Sequence, residues 1–136
     1  MTRWRRDDGS ALVLTLGYAA LTIALILVCA DATSLYLARK RTDAAADAAA
    51  LAGAEGYSVV IVDRRPVARL SDVGVRTRAE QVIAAHDSLR LVAARTPDGT
   101  TARVTVATTW HAPLLALFAP GGVVIESTAS ARTAIN

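Results

Sequence analysis

Residues Ala11–Ala30 read ALVLTLGYAALTIALILVCA. No charged residue interrupts them, and the uncharged stretch already begins at Gly9. At 1.5 Å rise per residue, about twenty residues cross the ~30 Å hydrocarbon layer of a bilayer as one helix. Thr15 and Thr22 fit such a helix, because a hydroxyl can return its hydrogen bond to the carbonyl one turn earlier. Gly17 and Ala20 are spaced i,i+3, short of the spacing that pairs membrane helices. The run therefore predicts a transmembrane segment over 11–30, preceded by a short N-terminus at 1–10.

A cleaved secretory signal is the competing reading. Signals have an apolar core of about 7–15 residues and end in an A-x-A-like site. Ala30–Ala32, ADA, fits that site, but the core is longer and nothing breaks the helical pattern after it. From Asp31 to Ala54 there is no proline, and the first glycine is Gly53. A retained anchor is the preferred reading. The alternative is a secreted soluble binding protein that loses residues 1 to about 32. Cys29 follows Val28 rather than a small residue, which argues against lipidation. As a single cysteine it also says nothing about the redox compartment.

Composition narrows the rest. The 136 residues are 53% apolar but only 4% aromatic, so a core outside the span is small and rests on Val, Ile and Leu. The net charge is +3, and most of the cations are arginine. Arg3, Arg5 and Arg6 precede the span, and Arg39, Lys40 and Arg41 follow it. Basic flanks of this kind suit a membrane surface. No basic face with interleaved aromatics points to nucleic acid. The second triplet lies about 13 Å beyond Ala30 along a continuous helix, so the flanking charges favour a cytoplasmic N-terminus.

Beyond the span lies TDAAADAAALAGA, Thr42–Ala54, with eight alanines in thirteen residues. Alanine is the best helix former, so residues 31–56 predict a helical extension that needs no packed partner. Arg39 and Asp43 are one turn apart and suit a surface pair. Asp31 and Tyr36 suit the headgroup region, and Gly53 and Gly56 suit a helix stop. Methyl side chains let a neighbour approach closely. Asp43, Ala46, Asp47, Ala50 and Leu51 are accordingly the candidate residues of a packing stalk.

The stretch Asp8–Ala54 resembles the N-terminal region of TadG-like members of the TadE/TadG family, Flp pilus-assembly proteins of the tight-adherence system. The residues that carry the resemblance are Gly9-Ser10 opening the span, Asp31 after it, then Tyr36 and Arg39, and above all ADAAALAGA over Ala46–Ala54. The resemblance implies a cytoplasmic N-terminus and an extracytoplasmic remainder in the cell membrane. It implies pilus-assembly or secretion proteins as partners beside the lipid bilayer, and a structural role rather than an enzymatic one. Processed pilin-like members carry glutamate five residues after the cleavage glycine. Counted from Gly9, that position is Leu14, so prepilin-type processing at Gly9-Ser10 departs from the pattern. TadG-like members commonly lack that glutamate.

Residues 57–136 read as a small extracytoplasmic α+β head. Tyr57–Asp63 is a short strand or an irregular connector, and Arg64–Pro66 breaks regular structure. Ser71 or Asp72 caps a helix running to about His86, with Val75, Ala79, Val82 and Ile83 on one face. Leu89–Thr96 alternates weakly and Ala102–Trp110 strongly; with the Pro97–Gly99 turn they predict a hairpin. Ala112–Pro120, APLLALFAP, predicts a short apolar helix, and Val123–Thr133 a third strand. The expected fold class is thus α+β. A long N-terminal transmembrane helix with an alanine-rich extension leads into a helix, a three-stranded antiparallel sheet and a short helix.

Chemistry is sparse. His86 and His111 lie in no ligand-spaced set with Cys, Asp or Glu. Ser71, Asp72 and His86 are triad residue types without a triad pattern. Ala119–Gly122, APGG, is too short for a phosphate loop. No catalytic residue, cofactor, metal or small-molecule substrate is expected. The densest apolar cluster outside the span is Trp110, Leu114, Leu115, Leu117 and Phe118. It reads either as head core or as a patch that meets the membrane or a pilus partner.

Overall fold

A computed structural model describes residues 7–118 and 120–134. The basic residues Arg3, Arg5 and Arg6, and most of the expected N-terminal segment, lie outside the described residues. One helix, α1, runs unbroken over Asp7–Ala54, 48 residues or about 72 Å. After it come strands β1 (Ser58–Val62) and β2 (Arg65–Arg69), helix α2 (Asp72–Ile83), and strands β3 (Leu89–Arg95), β4 (Thr101–Trp110) and β5 (Val123–Arg132).

The first half of α1 contacts almost nothing. Its most apolar window has a mean hydropathy of 2.5 and is unburied, the profile of a helix long and apolar enough to cross a membrane. Thr15 and Thr22 return their hydroxyls to Ala11 O and Tyr18 O, both at 2.8 Å, as the sequence predicts. The second half differs. Thr42, Ala46 and Ala49 are fully buried, and Ala45, Ala50 and Ala54 nearly so. They join Val75, Ala79 and Ile83 of α2 and Ala102, Val104, Val106 and Ala129 of the sheet in one core. The alanine-rich extension therefore has a partner, which is its own head.

The sheet is antiparallel in the order β3-β4-β5, and α1 and α2 share the core on one face of it. Alternation along β4 sends Ala102, Val104 and Val106 toward the helices. On the opposite face Thr105 bonds Thr128 at 2.8 Å across the β4–β5 pair. In β3 the register slips between Leu91 and Ala93. The bulge lets Leu89, Leu91 and Ala94 all lean toward the core, and explains the weak alternation of that stretch. Because the buried groups are mostly methyls and valines, the helix can lie close to the sheet without aromatic filling.

Three local features depart from the sequence reading. Arg64–Pro66 does not end regular structure. Asp63 and Arg64 adopt positive φ (51° and 62°) as the two-residue turn of a hairpin, and β1 pairs with β2 in register. Pro66 is tolerated because β2 has a neighbour on one side only. The predicted α2 stops at Ile83 rather than His86, where the last N–H groups switch to i−3 carbonyls, His86 N to Ile83 O at 2.9 Å. Over Ala112–Pro120 the described residues form one hydrogen-bonded turn, Phe118 N to Leu115 O at 2.9 Å. Pro120 has no N–H with which to extend that turn.

Gly53 and Gly56 do sit where α1 ends, but neither has a positive φ. They are sites of close approach. A Cβ on Gly53 would lie 3.0 Å from Val75 Cγ1, and one on Gly56 would lie 2.9 Å from Gly74 O. The start of α2 is pinned twice: Ser71 Oγ accepts from Gly74 N at 3.1 Å, and Asp72 Oδ1 accepts from Thr96 N at 2.7 Å.

Candidate functional site

The place where the free half of α1 becomes the docked half is the most constructed part of the surface. β4 runs antiparallel to α1. Its Ala102 end lies against Gly53, and at its other end Trp110 Nε1–H donates to Ser34 Oγ at 3.1 Å. The nineteen-residue helix interval spans about 28 Å and the eight-residue strand interval about 26 Å, so the two elements keep step. β4 thus leads the chain back toward the apolar end of α1.

Beyond Trp110 the chain meets Asp31. Its carboxylate accepts from Leu114 N–H at Oδ1 (3.1 Å) and from Leu115 N–H at Oδ2 (2.9 Å). Asp31 is 5% exposed. It is enclosed by protein and clamps the β4–β5 loop, a contact that the sequence reading did not anticipate. Pro113 has no N–H, so Leu114 and Leu115 offer the next two amides, and a carboxylate has an oxygen for each. One turn earlier on the same helix face, Leu27 is half-buried while the other residues of 9–30 are exposed. The loop closes on β5 through Gly122, whose φ is +69°. A Cβ there would lie 2.9 Å from both Trp110 O and His111 Nε2.

The expected stalk residues divide between two faces. Ala46 and Ala50 point into the head core. Asp47 and Leu51 are exposed and Asp43 half-exposed, forming a stripe along the edge of the docked face. Gly9 and Ser10 lie in the first turns of α1, exposed, with open space around Gly9. The Arg39–Asp43 pair does not form; among the described residues the ion pair within reach is Arg76–Glu80 at 2.9 Å. Exposed pairs of this kind are worth too little to hold two side chains in place. Lys40 instead sits over the Tyr36 ring, 5.7 Å from its centroid.

The histidines are not brought together with acids or thiols. His86 is exposed at the end of α2, with Nδ1 3.3 Å from Val82 O. Ser71 and Asp72 spend their oxygens on backbone amides. Among the described residues no group of three or more His, Cys, Asp or Glu side chains is arranged to hold a metal ion. The expected apolar cluster is only partly core. Leu117 is 93% exposed and Phe118 84%, while Trp110 is half-buried against α1.

An apolar helix of bilayer length, continued into the core of a small α+β head, defines a class of single-helix membrane-associated proteins. Residues 9–56 match the family model described as putative Flp pilus-assembly TadE/G-like. The match covers nearly all of α1 and the two residues after it. No curated protein and no solved structure matches the chain.

Proposed function

We propose that the chain is a membrane-anchored structural component of a Flp-type pilus-assembly or related secretion apparatus, acting by helix packing and protein contacts. The observation that carries this reading is the coincidence of the TadE/G-like segment with α1, which is apolar span at one end and head core at the other. The N-terminus is cytoplasmic and the head extracytoplasmic. Two unfilled surfaces suit partners. One is the outer stripe of Asp43, Asp47 and Leu51. The other is the β1–β2 hairpin, in which every β1 side chain is exposed, including Ile61 at 76%.

The test combines topology and contact. In cells, the chain should resist alkaline carbonate extraction, and its head should be degraded by protease added outside the cytoplasmic membrane. Photo-crosslinkers at Leu51 and Ile61 should trap pilus-assembly proteins. A carbonate-soluble chain, or a head protected unless the cytoplasm is opened, would overturn the reading.

The secreted alternative requires cleavage near Ala32. That cut removes Leu27 and Asp31, and with them the anchor of the β4–β5 loop. An intact mass for the mature protein starting after Ala32 would restore that alternative.

A further inference from the structure

We propose that the β4–β5 loop is a second membrane contact, its Leu117–Phe118 tip entering the leaflet that α1 leaves, with Asp31 holding it at that depth. The proposal rests on the anchored reading above.

Position is the first argument. β4 descends along α1 toward the apolar span, and Leu114 and Leu115 are fixed level with Asp31. The half-burial of Leu27 places covering chain one turn further into the span. Leu117 follows Leu115 by two residues, so its backbone reaches at most about 7 Å beyond that level. A depth of about 5–10 Å is the boundary between headgroups and acyl chains, where interfacial apolar groups lodge.

Surface chemistry is the second. Leu117 and Phe118 are the most exposed large apolar side chains described, at 93% and 84%, and Leu114 is 51% exposed. From Ala112 to Ile125 the sequence contains no charged residue. The exposed apolar surface of the loop thus lies at the end of β4 that faces the span, whose partner on the anchored reading is lipid. A protein partner would have to compete for a patch that the bilayer reaches by geometry alone.

Backbone accounting is the third. A loop can enter a poorly hydrated layer only if its amides are satisfied. Here Leu114 and Leu115 donate to Asp31, Phe118 donates to Leu115 O, and Pro113 and Pro120 have no amide hydrogen; the Ala116 and Leu117 amides have no partner among the described residues, which limits the tip to the hydrated boundary of the leaflet. The carboxylate thus positions the loop and removes two donors that would otherwise need water.

The test uses the full chain in vesicles of phosphatidylcholine and phosphatidylglycerol. Cys29→Ser leaves the background free of thiols, and Leu117→Cys carries an environment-sensitive fluorophore. The same label at Asp98→Cys, in the turn before β4, serves as reference. The label at 117 should emit to the blue of the label at 98. Lipids with nitroxides near the headgroup should quench it more strongly than lipids with nitroxides deep in the chain. Asp31→Asn should reduce that quenching severalfold, because the amide offers one acceptor oxygen where the carboxylate offers two.

If the chain stays with the vesicles after carbonate but the label at 117 behaves like the one at 98, the loop contact is refuted while the anchor stands. If carbonate releases the chain, the anchored reading fails and the loop proposal falls with it. Quenching unchanged in Asp31→Asn would refute the role given to Asp31.

Discussion

Replacing Ala49 by leucine should destabilise the junction between stalk and head, whereas the same change one residue earlier should not. Ala49 is fully buried between α1 and the sheet, with no space beside its methyl group for three more carbons. Over-packing of this kind costs about 1–3 kcal/mol. For a unit of roughly a hundred residues, each kcal/mol lowers Tm by about 4–8 °C, so a fall of roughly 5–20 °C is expected. Ala48 is exposed and borders an open groove of about 430 Å³ lined by Ala44, Val82, His86 and Thr108. Leucine there has room, and the effect should stay within about 0.5 kcal/mol. Helix propensity changes equally in both variants, so it cancels from the comparison. The assay is thermal unfolding of the full chain in detergent, followed by near-ultraviolet circular dichroism. Equal melting temperatures for the two variants would refute the assignment of the alanine face to the head core.

Other contacts give independent tests. Gly74→Ala would place a Cβ 2.7 Å from Gly56 O, a backbone atom that cannot swing away. The gain of about 1 kcal/mol in helix propensity should be outweighed, and urea unfolding should show a net loss of about 1–2 kcal/mol. Trp110→Phe removes the indole donor to Ser34 Oγ and should cost about 0.5–1.5 kcal/mol in the same measurement. Asp98 accepts from Thr100 N, Thr101 N and Thr101 Oγ1. These bonds, the Thr100 amide foremost, hold its carboxyl well below the usual carboxylate range. Its contribution is therefore present above the unfolded carboxylate pKa of about 4 and is lost as pH falls toward the lowered folded value. Tm measured from neutral pH downward should fall below about pH 4, and Asp98→Asn should flatten that part of the curve.

What the sequence revealed, and what it hid, follows from the range of the interactions. The span, the α2 cap at Ser71, the Pro97–Gly99 turn and the alternation of β4 are local patterns, and each was readable as such. The β1–β2 hairpin was not, because its turn is Asp63-Arg64, and arginine at positive φ carries no turn signature. Asp31 was legible only as an acid after a span. Its partners lie more than eighty positions away, so no local pattern points to them. A usable hint was present: Pro113 precedes two amides in an uncharged loop, and a lone carboxylate follows an uncharged helix.

The alanine block shows how one feature can satisfy two constraints. As a propensity signal it predicts a free-standing helix, and α1 is indeed continuous through it. The same small side chains let α2 and the sheet settle against that helix, and Gly53 carries this to its limit beside Val75 and Ala102. A face already filled by the chain's own head is closed to a neighbouring helix. On the function proposed above, packing along the stalk is left to the outer surface of Asp43, Ala44, Asp47, Ala48 and Leu51, where two carboxylates lie beside exposed apolar surface. A partner that fits there needs a cation opposite Asp43 or Asp47 and an apolar contact for Leu51. Charge reversal at Asp47, Asp47→Lys, should then abolish crosslinking from Leu51 while leaving Tm unchanged within about 0.5 kcal/mol equivalent. Crosslinking that survives the reversal would show that the stripe is not the contact.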